Sequence, residues 1–281
     1  MKPEVDWLDI CRRITARQAD LFEGTTSIAE RTVYEGRGEG GDMTLALDRS
    51  CEDIVFEELE SALPPGLSVL AISEERGEVR LGDEVDDAVR LRVVIDPIDG
   101  SMNVRRTIPS HSLSIAIASG DSMADVEFGF VHDFGAREEF TAGRGEGATL
   151  NGLPIAPAGS DYGLEVVGLE SADPRWIGAS IAALEGEAYR LRVVGSIAIS
   201  LAYVAAGRFD AMFSARHCRS VDAAAAQLIV REVGGSVDFA GYGLDGATLD
   251  LDARYAVAAA LDAGHLATVR GAQDAGSGVA R

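Results

Sequence analysis

Lysine is almost absent: Lys2 is the only one in 281 residues, so arginine carries nearly all the positive charge. Basic residues are few altogether, 25 against 46 acidic ones, giving a net charge of −21. Such a surface repels nucleic acid backbones and anionic lipid. It also repels a phosphate ester, unless bound cations reverse the field locally. Codon usage in a G+C-rich genome accounts for the missing lysines and fits the abundant alanine and glycine. The acidity and the missing lysines together also match adaptation to high salt, which a melting temperature that is flat or falling up to molar KCl would rule out. Cysteine is scarce as well: Cys11, Cys51 and Cys218 are scattered and odd in number, so neither a disulfide framework nor a zinc pattern is present. Each is expected as a small core or surface residue. No apolar run approaches the ~18 residues of a membrane span. The first residues, Met1 to Trp7, are acidic and lack a secretory apolar stretch. A cytoplasmic chain with neither membrane nor nucleic acid as partner is expected. Repeats and low-complexity segments are lacking.

What is present is a generous core. Apolar residues make up 47% of the chain, enough for a well-buried interior, and the length suggests one large domain or two lobes. Residues 5–33 carry helix-like apolar spacing, broken near Gly24. Gly36 to Gly41 reads as a loop, and a helix follows from about Arg49 to Leu63. Strands are predicted at Ser68–Ser73 and Leu91–Ile95, with the acidic stretch Gly77–Ala88 between them as a solvated loop. Leu113–Ala118, Val126–His132 and Glu138–Thr141 alternate as an antiparallel meander, closed by the turns at Gly143–Ala148 and Asn151–Gly152. After a linker at Pro154–Gly163 the rhythm changes to strand–helix alternation. Strands are predicted at Leu164–Leu169, Leu191–Val194, Phe209–Phe213, Ser236–Phe239 and Tyr255–Ala260. Helices are predicted at Pro174–Leu184, Ser196–Ala206, Asp222–Val233 and His265–Ala272. The reading is an α+β lobe over 1–155 and an α/β lobe over 156–281.

The most informative segment is Val93-Val94-Ile95-Asp96-Pro97-Ile98-Asp99-Gly100-Ser101. A short apolar run ends in two carboxylates three positions apart across a proline. Pro97 fixes its own φ, and Gly100 accepts dihedrals other residues avoid, so the backbone is forced round. Both carboxylates are then presented beside free N–H groups at Gly100 and Ser101. Hard oxygen ligands of this kind suit Mg²⁺. The same residues also compose an ordinary type I turn.

Three further segments accompany it in order: Gly41 to Asp48 leading into a helix, the Ser68–Glu75 strand ending in two acids, and Val221-Asp222-Ala223 opening a helix. This ordered set resembles the inositol monophosphatase family, across roughly residues 5–270. The resemblance implies a layered α-β-α-β-α sandwich and a homodimer. It implies a Mg²⁺-dependent phosphomonoesterase that hydrolyses a small phosphorylated polyol or sugar with metal-activated water. Inositol 1-phosphate and fructose 1,6-bisphosphate lead as substrates. A 3′-phosphoadenosine bisphosphate or histidinol phosphatase is the alternative, as is a non-catalytic member acting as a binding module.

The resemblance places Glu74, Asp96 and the Ile98 carbonyl on one Mg²⁺, and Asp96, Asp99 and Asp222 on a second. A third, weaker ion is implied near Glu74, and Mn²⁺ is a possible substitute. Glu74, Ser101 and Asp48 are the implied catalytic residues, Ser101 standing where the family has threonine to orient water with the helix aspartate. Ser101 could instead cap a helix, and Asp48 could cap its own helix or pair with Arg49. Gly100 and Ser101 offer N–H groups to phosphate, with Asp99 beside them, and Gly195 and Ser196 match the segment lining the substrate's hydroxyls. Ser196 reads equally as a helix cap. Arg37 stands where the family often has a lysine near the third metal, and reads equally as a solvated charge. Several departures matter. The acid that contacts inositol hydroxyls falls near Ser214, and Arg216, His217 and Arg219 follow instead. Arg216 and Arg219, with Arg106, therefore suggest a substrate carrying a second anionic group, or else pair with surface acids. His111, His132 and His265 stand alone and read as structural.

Overall fold

In a computed structural model that describes residues 5–37, 43–82, 91–157 and 162–277, the apolar runs form two large sheets separated by helices. A small antiparallel pair, β1 (Tyr34–Arg37) and β2 (Met43–Leu45), precedes them. The first large sheet holds β3 (Ser68–Ser73), β4 (Gly77–Gly82), β5 (Leu91–Asp99), β6 (Ser112–Ala118), β7 (Val126–Asp133), β8 (Glu138–Gly143), β9 (Gly147–Leu150) and β10 (Leu153–Pro154). Its order is β10-β9-β8-β7-β6-β5-β3-β4. The predicted meander is β6 to β10, and only β3 and β5 run parallel. The second sheet holds β11 (Leu164–Glu170), β12 (Ala188–Arg192), β13 (Ala211–Ser214), β14 (Ser236–Phe239) and β15 (Val257–Ala260), in the order β12-β11-β13-β15-β14.

Among the described residues eight α-helices cover and separate the sheets: α1 (Trp7–Gly24), α2 (Ala46–Ala62), α3 (Ser101–Arg105), α4 (Ile177–Ala183), α5 (Ile197–Ala205), α6 (Ser220–Glu232), α7 (Gly243–Gly246) and α8 (Ala263–Ser277). Ile10 and Ile14 of α1 and Val55, Phe56 and Leu59 of α2 pack on the outer face of the first sheet, against Val69, Val93, Ile95 and Ile115. α5 and α6 lie between the sheets in one continuous core that includes Val131, Phe140, Leu201, Leu228 and Val257. α4 and α8 close the far face of the second sheet around Val167, Leu169, Phe213 and Val269. The layers run α-β-α-β-α, as the resemblance implied. Alanine makes the middle layer possible. Ala223 to Ala226 of α6 are all buried, and a Cβ added at Gly129 of β7 would lie 2.5 Å from the Ala225 carbonyl oxygen. Backbone meets backbone there, and no larger residue fits.

Several boundaries differ from expectation. The acidic stretch from Gly77 opens as a strand, because Val79 and Leu81 alternate inward beneath the charges of Glu78 and Arg80. Its remainder, 83–88, lies outside the described residues, as do residues 38–42 of the glycine-rich loop; Arg37 ends β1. The strand expected at Leu191–Val194 starts three residues earlier and ends two earlier, since the Val194 amide turns to a glutamate and leaves the ladder. In the second sheet β15 pairs antiparallel with both β13 and β14, so the α/β rhythm holds only for β11 to β13. Among the described residues no helix is long and apolar enough to cross a membrane.

Candidate active site

β5 does not stop at Ile95. It continues to Asp99 with an irregularity between Asp96 and Asp99, where three residues on β5 oppose two on β6. Pro97 has no N–H for the ladder, so the strand bulges there. Gly100 then turns the chain at φ +98, a left-handed conformation that suits glycine. The bulge, rather than a free turn, aims Asp96 and Asp99 inward, and both are buried.

Four carboxylates from three parts of the chain approach one another here: Asp96 and Asp99 on β5, Glu74 just beyond β3 and Asp222 on α6. Burial pushes Asp96 well above the usual carboxylate range, and Asp99, Asp222 and Glu74 each push it further. Asp99 and Asp222 are both pushed up to about 7, burial being the larger cause in each. Asp96 and Asp222 are close enough for each to raise the cost of charging the other. Asp222 sits in the first turn of α6 and accepts from the Arg219 amide at 2.8 Å. Glu74, just beyond β3, pairs with the Arg219 guanidinium at 2.7 Å.

Among the described residues no three His, Cys, Asp or Glu side chains stand ready-arranged around a metal position. Two observations explain this. Glu74 is turned to Arg219, and Asp99 Oδ2 accepts from Ser196 Oγ at 2.6 Å and from the Ala198 amide at 2.7 Å. One guanidinium thus offsets part of the cluster's charge. The donor set itself is hard, anionic and mutually repelling, and suits Mg²⁺ or Mn²⁺. An unpartnered buried oxygen, Asp48 Oδ1, stands beside it.

Asp48 lies in the first turn of α2 and is pushed up to about 7 by burial, then by Glu75. The Leu45 backbone works against this, although no side-chain hydrogen bond caps the start of α2. Asp48 shares a pocket of about 200 Å³ with Glu74, Glu75, Asp96, Pro97, Ile98 and Ser101. Ser101 opens α3, and its hydroxyl donates to the Ile98 carbonyl at 3.1 Å. Asp48 and Ser101 face one space without bonding to each other.

A larger cleft of about 1000 Å³ adjoins the other end of the cluster, with Asp99 and Asp222 in its wall. Gly195, Ser196, Arg216 and Arg219 line it, as the sequence suggested. Ser196 caps α5, accepting from the Ile199 amide at 3.1 Å, as one of its two readings had it, and it also donates to Asp99. Gly195 has φ +83, and a Cβ there would lie 2.7 Å from Asn103 Nδ2. Arg216 is exposed, with its guanidinium 5.6 Å from the Trp176 ring centroid. Arg106 is exposed beyond α3 and is not in the cleft wall. Ser214 is buried under β15, where its hydroxyl accepts from the Val257 amide. His111 is buried against Phe22 and Phe134, and His132 packs on Phe134.

Sequence reasoning missed Glu170, Arg254 and Asn103, all in the wall of the larger cleft. Glu170 could have been found, since Leu164–Glu170 is a short apolar strand ending in an acid, the pattern that singled out Glu74. Arg254 and Asn103 carry no such signal, because tertiary folding alone brings them to the cleft.

Residues 14–274 match the model of the inositol monophosphatase family. The chain is 34% identical to a "Fructose-1,6-bisphosphatase/inositol-1-monophosphatase" of Thermococcus kodakarensis, over 83% of this chain and 84% of that one. It is 33% identical to the "Nus factor SuhB" of Escherichia coli K12, over 83% and 85%. Among solved structures, the extragenic suppressor protein suhB of Bartonella henselae superposes with a TM-score of 0.75 at 25% identity, covering 94% of this chain and 97% of that one. An IMPase of Thermotoga maritima shares the fold, with a TM-score of 0.75 at 24% identity and 98% and 99% coverage.

Proposed function

Because the chain belongs to the inositol monophosphatase family, we propose that it is a Mg²⁺-dependent phosphomonoesterase acting on a small phosphorylated sugar or polyol. Inositol 1-phosphate and fructose 1,6-bisphosphate are the leading substrates. The observation that carries this reading is the convergence of Glu74, Asp99 and Asp222 on Asp96, each raising it, next to the partnerless Asp48 oxygen. The lobe over 1–155 supplies Glu74, Asp96 and Asp99, and the lobe over 156–281 supplies Asp222. A homodimer and a cytoplasmic location are part of the same proposal.

Glu74, Asp96 and the Ile98 carbonyl would hold one cation, and Asp96, Asp99 and Asp222 a second. When bound, these ions supply positive charge to the phosphoryl oxygens and acidify water. The chain's own groups do the rest. Asp48 Oδ1 and the Ser101 hydroxyl face the same pocket and orient the attacking water, Asp48 as the acceptor of its proton. The N–H groups at Gly100 and Ser101 orient the phosphate. Gly195 and Ser196 line the part of the cleft that receives the ring.

Arg216 extends this reading to the rest of the substrate. Its partner is Arg254 rather than Arg219, because Arg219 is committed to Glu74. Among the described residues Arg254 donates to the Leu251 and Ala253 carbonyls, and it lies in the cleft wall. Two guanidinium groups in the wall of the cleft favour an ester with a second anionic group. Phosphate release across inositol 1-phosphate, fructose 1,6-bisphosphate, 3′-phosphoadenosine 5′-phosphate and histidinol phosphate tests the function. Turnover with Mg²⁺ and none in EDTA is expected; no release from any ester refutes it. Arg216→Gln should raise KM about tenfold for a bisphosphate, the effect of one lost charge-assisted contact, and leave inositol 1-phosphate unchanged. Equal loss on every ester counts against the subsite.

A second reading is a non-catalytic binding module, favoured by the Arg219–Glu74 pair that occupies one of the ligands. Alanine at Asp99 separates the two. A cellular role that survives without turnover supports the module.

A further inference from the structure

Glu170 is 1% exposed, at the C-terminal end of β11. Its partners are neutral donors: the Val194 amide at 3.1 Å, the Gly195 amide at 2.8 Å and the Ser200 hydroxyl at 2.6 Å. Burying a carboxylate among neutral groups is costly even when each oxygen is satisfied. What it holds is the turn between β12 and α5. The positive φ at Gly195 swings two successive N–H groups toward one point, and Glu170 fills that point. The opposite side of the turn is closed by Asn103, whose Nδ2 donates to the Val194 carbonyl at 2.8 Å and to the Ser110 carbonyl at 2.6 Å.

Immediately after this clamp, the chain makes its two contacts with Asp99. Ser196 Oγ donates to Asp99 Oδ2 while accepting from the Ile199 amide, and Ser112 Oγ lies 3.2 Å from it. The Ala198 amide donates to the same Oδ2. Oδ2 is thereby used up, and Oδ1 is the oxygen left for a cation. We infer that Glu170 is a positioning residue for Asp99, acting through the Gly195–Ser196 turn. It neither touches substrate nor ligates metal. The inference rests on the proposal that Asp99 is a metal ligand.

Glu170→Gln keeps the size but sets an NH₂ group against an N–H donor, so one of the three contacts must open. Partners that orient ligating carboxylates are typically worth 10- to 100-fold in metal affinity. Calorimetry should therefore show Mg²⁺ binding to Glu170→Gln about tenfold weaker than wild type. Ser200→Ala is the control, since it removes a Glu170 contact that does not belong to the turn. It should lower the melting temperature and leave Mg²⁺ affinity unchanged. Unchanged affinity in Glu170→Gln, or equal weakening in Ser200→Ala, overturns the inference. Should Glu170→Gln not fold, Glu170→Asp, which withdraws the carboxylate by one methylene, is read the same way. If the wild type takes up no Mg²⁺, the proposed function fails and the crystal structure of the Glu170 variant judges the inference. A Ser196–Asp99 hydrogen bond that is lost there supports it, and one that persists refutes it.

Discussion

Without divalent cations, this protein should become less stable as the pH rises through the neutral range. Asp48, Asp99 and Asp222 are each raised from 3.8 to about 7, chiefly by burial. A carboxyl whose folded pKa lies above its unfolded one binds its proton more readily when folded. Its contribution is complete below about pH 4 and is lost as the pH climbs through about 7. A shift of three units in one group corresponds to roughly 4 kcal/mol. The three repel one another within one cluster, so their increments do not simply add, and one group's worth is taken as the floor. At about 2 °C per kcal/mol for a chain of this size, the melting temperature should fall by roughly 8 °C or more. His111 acts in the opposite sense: burial lowers it to about 4, so its contribution grows between pH 4 and its unfolded value. It is common to both conditions, and the difference between melts in EDTA and in saturating Mg²⁺ cancels it. That difference should be near zero at pH 4 and should widen to about 8 °C by pH 7.5, since the cation binds only the deprotonated ligands. Asp99→Asn should raise the EDTA melting temperature at pH 8 and abolish the Mg²⁺ response. A gap that is absent, or the same at pH 5 and pH 8, refutes the reasoning.

Two other perturbations follow from the geometry. Arg219→Gln frees Glu74 from a pair that is only partly exposed, 18% and 23% at the two side chains; a pair worth about 1 kcal/mol should tighten Mg²⁺ binding about fivefold by calorimetry. Weaker binding would mean that Arg219 supports the ligands instead of competing for one. Gly129→Ala puts a methyl 2.5 Å from the Ala225 carbonyl, which should cost about 1–3 kcal/mol. A melting temperature within a degree of wild type would show that α6 can lift freely off β7.

The carboxylates were legible because short apolar strands that end in acids leave a plain mark, and because Asp96-Pro97-Ile98-Asp99-Gly100 combines that mark with backbone punctuation. Even so, the strand was expected to stop at Ile95. The bulge that carries it to Asp99 depends on pairing with β6, which no local pattern contains. The strand at Gly77 was hidden because charge on alternate residues resembles a solvated loop until Val79 and Leu81 are seen to face inward. The five layers were legible only through resemblance; the physical reason, a run of alanines that lets α6 touch both neighbours, becomes visible when Gly129 is found beneath Ala225. Arg219 shows the limit most clearly. Its type and place suggested anion binding, but its guanidinium pairs with Glu74, far earlier in the chain.

The central claim is that Glu74, Asp96, Asp99 and Asp222 share divalent ions, and anomalous diffraction from crystals grown with Mn²⁺ tests it most directly. Peaks within coordination distance of these carboxylates, with Arg219 withdrawn from Glu74, are the predicted result. A map with no peak among them, or with Arg219 still seated on Glu74 beside an empty cluster, would contradict it.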